Sequence, residues 1–194
     1  MRVWYASRTN LGALAAHQQV VPVYYEELPN VSRDDVGTVR MRAPIQPGDQ
    51  APDFRLPSTA GEITGSEIWR DAKLVLAFYT EDGTPACQAQ VQALAEDLPM
   101  LEDLGARVIA ISADPLDSHT RFAERLGGAP YPLASDPHLE VAHAYGVADD
   151  ELKRSRRAVF VIDRGGTVIH ANPWFVASSP EQRLAILEAL GAEL

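Results

Sequence analysis

The chain has 194 residues, a formal net charge of -10, 46% hydrophobic residues and 23% charged residues. Such a length suits one domain of moderate size that buries a single sizeable core. The acid excess argues against nucleic acid and anionic membrane surfaces as partners, and the lone cysteine, Cys87, rules out a framework of internal disulfides.

Residues 1–50 balance five arginines against five acids, so the whole acid excess falls in residues 51–194. The N-terminal stretch lacks the uninterrupted apolar run of a secretory signal, because Ser7, Arg8, Thr9, Asn10, His17 and Gln18 break it. No segment approaches a membrane span. With a single thiol, this predicts a cytoplasmic protein. Val20-Val21-Pro22-Val23-Tyr24-Tyr25 reads as one edge strand, the place where a sheet tolerates proline. Pro44, Pro47 and Gly48 mark a joint, which divides the chain into an N-terminal extension, residues 1–47, and a main domain, residues 48–194. The extension carries no recognisable chemistry. It either packs across a sheet edge or mediates a homodimer.

From Gly48 onward, strand and helix patterns alternate. The run Leu74-Val75-Leu76-Ala77-Phe78-Tyr79 is apolar throughout, as in a strand buried on both faces. Val91, Leu94, Ala95 and Leu98 then recur at helical spacing, which predicts a helix from about Pro85 toward Leu104, bent at Pro99. Residues 107–112 form the second central strand. Asp117 is expected to cap a helix that runs to Leu126 and ends at Gly127-Gly128. Asp136-Pro137 opens a short helix reaching about Tyr145. Residues 158–162 and 167–170, joined by Asp163-Arg164-Gly165-Gly166, make an antiparallel hairpin. Ser179-Pro180-Glu181-Gln182 reads as a capping box before a last helix with Leu184, Leu187 and Leu190. Parallel crossovers followed by a hairpin predict an α/β protein with a mixed sheet flanked by helices, the layout of a thioredoxin-like fold.

In such a sheet the reactive group belongs at the carboxyl end of the first central strand. Cys87 stands there, at the junction with the following helix. A free cysteine is often just a small buried hydrophobe. Against that stand its setting after Glu81-Asp82-Gly83-Thr84-Pro85-Ala86 and its polar neighbours Gln88, Gln90 and Gln92. Unpaired N–H groups in a first helical turn favour a thiolate, which is the nucleophilic form.

Gly48-Asp49-Gln50-Ala51-Pro52-Asp53-Phe54, Phe78-Tyr79 leading to Thr84-Pro85-Ala86-Cys87, and Arg157-Ala158-Val159-Phe160-Val161-Ile162-Asp163 together resemble a peroxiredoxin. Within that family, Cys87-Gln88-Ala89-Gln90 resembles most closely the bacterioferritin comigratory protein, or PrxQ, group. The resemblance spans roughly residues 47–173. It implies a thiol peroxidase that reduces hydrogen peroxide or small organic hydroperoxides, with Cys87 becoming a sulfenic acid. Arg157, by its match to the family segment, holds the thiolate charged; arginine suits this because it cannot readily give up its proton. Thr84 offers a hydroxyl to orient the peroxide. Thr80, Ala86 and Gln90 line the substrate pocket, and free N–H groups at Ala86 and Cys87 are expected to stabilise the developing charge.

The chain departs from the family twice. Thr80 replaces the proline usual seven residues before the reactive cysteine, and Gln92 replaces the resolving cysteine five residues after it. An external thiol must therefore recycle Cys87, whether a low-molecular-weight thiol, a thioredoxin or a glutaredoxin-like protein. The competing reading is a redox sensor or a catalytically silent thioredoxin-fold interaction module. No cofactor or metal is expected, since His17, His119, His138, His143 and His170 show neither i, i+4 pairing nor a cysteine partner. Arg156 is the residue that would take the place of Arg157 if the register slipped by one.

Overall fold

A computed structural model describes residues 43–193. Its elements in chain order are β1 (Arg55–Ser58), β2 (Gly61–Thr64), α1 (Gly65–Asp71), β3 (Lys73–Phe78), α2 (Pro85–Asp103), β4 (Ala106–Ser112), α3 (Leu116–Arg125), β5 (Leu133–Ser135), α4 (Glu140–Ala144), β6 (Ala148–Asp149), β7 (Arg154–Ser155), β8 (Ala158–Ile162), β9 (Val168–Asn172) and α5 (Pro180–Ala189). Seven strands form one mixed sheet in the order β2-β1-β5-β4-β3-β8-β9, and β6 and β7 pair as a separate ribbon. Strand β3 runs parallel to β4 and antiparallel to β8, and β4 runs parallel to β5.

Successive side chains on a strand point to opposite faces, so the apolar run in β3 serves two cores. Leu74, Leu76 and Phe78 face one side, packed with Phe160, Trp69 of α1 and Val141 of α4. The ring of Phe78 meets Phe160 edge to face at 5.9 Å. Val75, Ala77 and Tyr79 face the other side with Val91 and Leu94 of α2, Phe122 of α3 and Ile186 of α5. Cys87 belongs to this second core.

The expected central strands, the hairpin and the last helix are present, with β8 and β9 antiparallel. Gly127 and Gly128 end α3 as predicted, with φ of 80° and 113° and N–H bonds back to Glu124 and Ala123. Three local expectations differ. Pro115 rather than Asp117 occupies the N-cap of α3, and Asp117 sits in the first turn, paired with Arg121 at 2.9 Å. Helix α4 starts later than Asp136-Pro137, because Leu139 enters it at φ 58°, although the Asp136 carboxylate still accepts from the Ala142 N–H at 2.9 Å. Ser179 caps α5 by accepting from the Gln182 N–H, but the Gln182 side chain turns to Asn172 and the Val176 N–H instead of closing the box. The strand expected over Val20 to Tyr25 lies outside the described residues.

Candidate active site

Strand β3 delivers the chain to the carboxyl edge of the sheet, and residues 79–84 cross from there into α2. Thr84 is extended, at φ -73° and ψ 142°, and its side chain accepts from the Cys87 N–H at 3.4 Å while donating to the Glu81 carbonyl at 3.3 Å. Pro85 follows in the first turn, where its missing N–H costs nothing. The Cys87 N–H, expected to be free, is therefore held by the capping hydroxyl. Ala86 is exposed at the same turn.

Cys87 is fully enclosed, at 0% relative exposure, against the expectation raised by its polar neighbours. Helical geometry explains this. Cys87, Gln90, Val91 and Leu94 fall on one buried stripe, while Gln88 and Gln92 lie on exposed flanks. Gln90 is buried as well, and its Nε2 donates to the Phe78 carbonyl at 3.0 Å, tying the first turn of α2 to the end of β3. Its Oε1 has no partner among the described residues.

Two hydroxyls bracket the thiol position. Thr80 Oγ1 lies 3.0 Å from Cys87 Sγ, and Thr84 Oγ1 caps the turn that carries it. A thiolate can only accept, so against ionised sulfur Thr80 is the donor. Thr80 is half-buried, whereas Cys87 is fully enclosed.

Arg157 arrives from the neighbouring strand. Phe78 pairs with Ala158, which sets Arg157 level with Tyr79, one step beyond the end of β8. Val159 and Val161 of β8 belong to the core that includes Cys87, and Arg157, half-buried, directly precedes that strand. The segment is pinned by the Ser155 hydroxyl, which donates to the Tyr79 carbonyl at 2.7 Å, and by the Phe175 N–H, which donates to the Arg157 carbonyl at 2.9 Å. Among the described residues no carboxylate forms an ion pair with Arg157. Arg156 is engaged elsewhere, its guanidinium stacked 4.8 Å from the centre of the Trp174 ring.

Beneath the loop lies a buried polar group that sequence reasoning missed. Asp82 accepts from the Tyr79 hydroxyl at 2.8 Å and meets His119 Nδ1 at 3.0 Å. Burial pushes the Asp82 carboxyl up, but bonds from His119, Ser118 and Tyr79 outweigh it and hold the group below its usual range. Burial and the Asp82 charge hold the Tyr79 hydroxyl well above its ordinary value, so Tyr79 stays a donor. His119 and Phe122 stand three apart on α3 and both are buried. That spacing was the available signal: a histidine sharing an inward helical face with an aromatic residue. Among the described residues, no group of three or more histidines, cysteines or acids is arranged to hold a metal ion, and no helix is long and apolar enough to cross a membrane.

Residues 47–171 match the model of the AhpC/TSA family. Alkyl hydroperoxide reductase E of Mycobacterium tuberculosis is 33% identical over 140 residues, covering 71% of this chain and 91% of that protein. Thioredoxin peroxidase of Fasciola hepatica is 30% identical over 156 residues, covering 75% and 80%. The crystal structure of peroxidoxin BcpB from Mycobacterium tuberculosis superposes with a TM-score of 0.68 at 28% identity, covering 75% of this chain and 96% of that one. A matching family model over most of the chain, relatives of this kind and a shared thioredoxin-like fold all point the same way. The chain belongs to the AhpC/TSA family of peroxiredoxins, and its enzyme class is thiol peroxidase.

Proposed function

We propose that the chain reduces hydrogen peroxide or a small organic hydroperoxide through Cys87. The observation that carries this reading is the placement of one thiol at the first turn of α2, with the Thr80 hydroxyl 3.0 Å from sulfur and Arg157 entering the neighbouring strand beside the end of β3. The Cys87 thiolate attacks one peroxide oxygen. A sulfur–oxygen bond forms, the oxygen–oxygen bond breaks, sulfur loses two electrons, and the leaving alkoxide or hydroxide takes a proton from solvent. Arg157 stabilises the thiolate and the charge that develops on the leaving oxygen. Thr84 and Thr80 supply hydroxyls that orient the peroxide in line with sulfur. Ala86, exposed, and Gln90, buried, flank Cys87 on the first turns of α2.

Return to the thiol is an external reaction. Gln92 occupies an exposed position on α2 and the chain has no second cysteine. An incoming thiol attacks the sulfenic sulfur and releases water, leaving a mixed disulfide. A second thiol then frees Cys87 and leaves as the oxidised disulfide. The relative from Fasciola hepatica is named a thioredoxin peroxidase, which supports a thioredoxin as one candidate donor beside low-molecular-weight thiols and glutaredoxin-like proteins. Peroxide consumption in the presence of excess dithiothreitol, thioredoxin or glutathione with glutaredoxin tests the reading. Wild-type protein should turn over with at least one donor, and Cys87→Ser should not. Equal consumption by the two proteins would contradict it.

A further inference from the structure

We propose that Thr80 makes Cys87 selective for hydrogen peroxide over alkyl hydroperoxides, because its branched side chain limits the space beside sulfur. The proposal deepens the peroxidase reading of Cys87 given above and rests on it. Cys87 is at 0% relative exposure, so no water molecule reaches it in this conformation. Thr80 Oγ1 lies 3.0 Å from the sulfur and is its sole hydrogen-bond partner among the described residues.

The first constraint is room. Forming the sulfur–oxygen bond requires a peroxide oxygen within about 3–3.5 Å of sulfur. Thr80 already fills part of that shell, and its hydroxyl and methyl share a β-branched carbon whose χ1 is stiff. With the hydroxyl on sulfur, the methyl is fixed as well. The backbone around Thr80 is pinned on both sides. The Phe78 carbonyl accepts from Gln90 Nε2 at 3.0 Å and the Tyr79 carbonyl from the Ser155 hydroxyl at 2.7 Å, while the Asp82 N–H donates to the Asp114 carboxylate at 3.0 Å. Thr80 therefore cannot swing aside without breaking these bonds. Packed protein yields little, so the displacement needed to admit a substrate grows with its bulk. Hydrogen peroxide brings two oxygens, and tert-butyl hydroperoxide adds a branched alkyl group to the leaving one.

The second constraint is polarity. Gln90 is 1% exposed and stands three residues after Cys87 on the same buried stripe, where helical side chains are neighbours. Its Oε1 has no partner among the described residues. A buried acceptor without a donor is costly, and hydrogen peroxide has a second O–H to offer where an alkyl hydroperoxide has one. The products differ in the same sense. In both cases the thiolate attacks the terminal O–H oxygen, the sulfur–oxygen bond forms, the oxygen–oxygen bond breaks and sulfur loses two electrons. With a proton from solvent, the leaving oxygen departs as water from one substrate and as a bulky alcohol from the other.

The test measures the rate of trapped sulfenic acid formation at Cys87 with hydrogen peroxide and with tert-butyl hydroperoxide. Each rate is divided by that of a free small-molecule thiol with the same peroxide at matched pH, which removes intrinsic reactivity. Wild-type protein should prefer hydrogen peroxide at least about tenfold on this scale. Thr80→Ser keeps the hydroxyl and removes the methyl, so it should hold the hydrogen peroxide rate within about threefold while lowering the preference at least about threefold. Thr80→Val keeps the branched shape and removes the hydroxyl. It should slow both peroxides and leave the preference within about threefold of wild type. A smaller wild-type preference, a Thr80→Ser protein as selective as wild type, or a Thr80→Val protein that loses selectivity would each overturn the proposal. Comparable normalised rates with the two peroxides would leave the peroxidase reading standing. Absence of sulfenic acid with either peroxide would bring down both.

Discussion

At the residue scale, the reaction depends on what surrounds one sulfur. The Thr80 hydroxyl contacts sulfur at 3.0 Å. Thr80→Val keeps the shape and removes the donor, so it should slow sulfenic acid formation roughly ten- to hundredfold without changing the fold, because a hydrogen bond to a charged group contributes about 1.5–3 kcal/mol. Arg157→Ala should move the thiolate absorbance titration to higher pH and slow the same step by more than the change in thiolate fraction explains. An unmoved titration would assign the charge to another group. Asp82 also makes a prediction in acid. Its folded value lies below the ordinary carboxylate value, so the unfolded chain binds more protons in that range. Its contribution to stability is complete above a pH of about 4 and is lost as pH falls through the folded value. Acid unfolding of Asp82→Asn should accordingly show a shallower slope below that point than wild type. Cys87 and Thr84 were legible in the sequence, because an apolar run stops and a threonine-proline pair opens a helix. Asp82 and His119 were not, since their meeting depends on how α3 lies against the end of β3.

At the element scale, α2 has two roles that conflict. On the proposed mechanism its first turn presents sulfur to peroxide, yet the stripe of Cys87, Gln90, Val91 and Leu94 is buried. A reductant larger than peroxide therefore needs that turn to open locally, and the cap controls the cost. Thr84→Ala removes the acceptor for the Cys87 N–H and should lower global stability by about 1 kcal/mol, read as a shift in the urea midpoint, while increasing hydrogen exchange in the first turn of α2. Unchanged exchange there would show that Gln90 alone holds the turn. The parallel pair β3 and β4 and the hairpin β8–β9 were readable from apolar runs and a glycine turn. Strand β5 has three residues and β6 and β7 have two each, too short to show a period. The β1–β2 hairpin has a largely solvent-facing pattern with few apolar positions.

At the scale of the whole molecule, the sheet divides two cores, and the site sits on the one closed by α2, α3 and α5. The opposite core holds the Phe78, Phe160 and Tyr145 rings together, with Tyr145 and Phe160 5.2 Å apart. Phe160→Ala should cost about 3–5 kcal/mol, because it empties the centre of that core, measured by chemical unfolding. Chain-wide chemistry follows from a single cysteine. On the proposed mechanism the single cysteine leaves oxidised Cys87 no internal partner, so an external thiol restores it. The central claim is that Cys87 is a peroxide-reactive thiolate. Its most direct test mixes the protein with one equivalent of hydrogen peroxide, quenches at short times with a dimedone-type trap and follows the trapped sulfenic acid at Cys87 by intact mass. We predict a rate well above that of a free small-molecule thiol at matched pH; a rate no faster than the free thiol would contradict it.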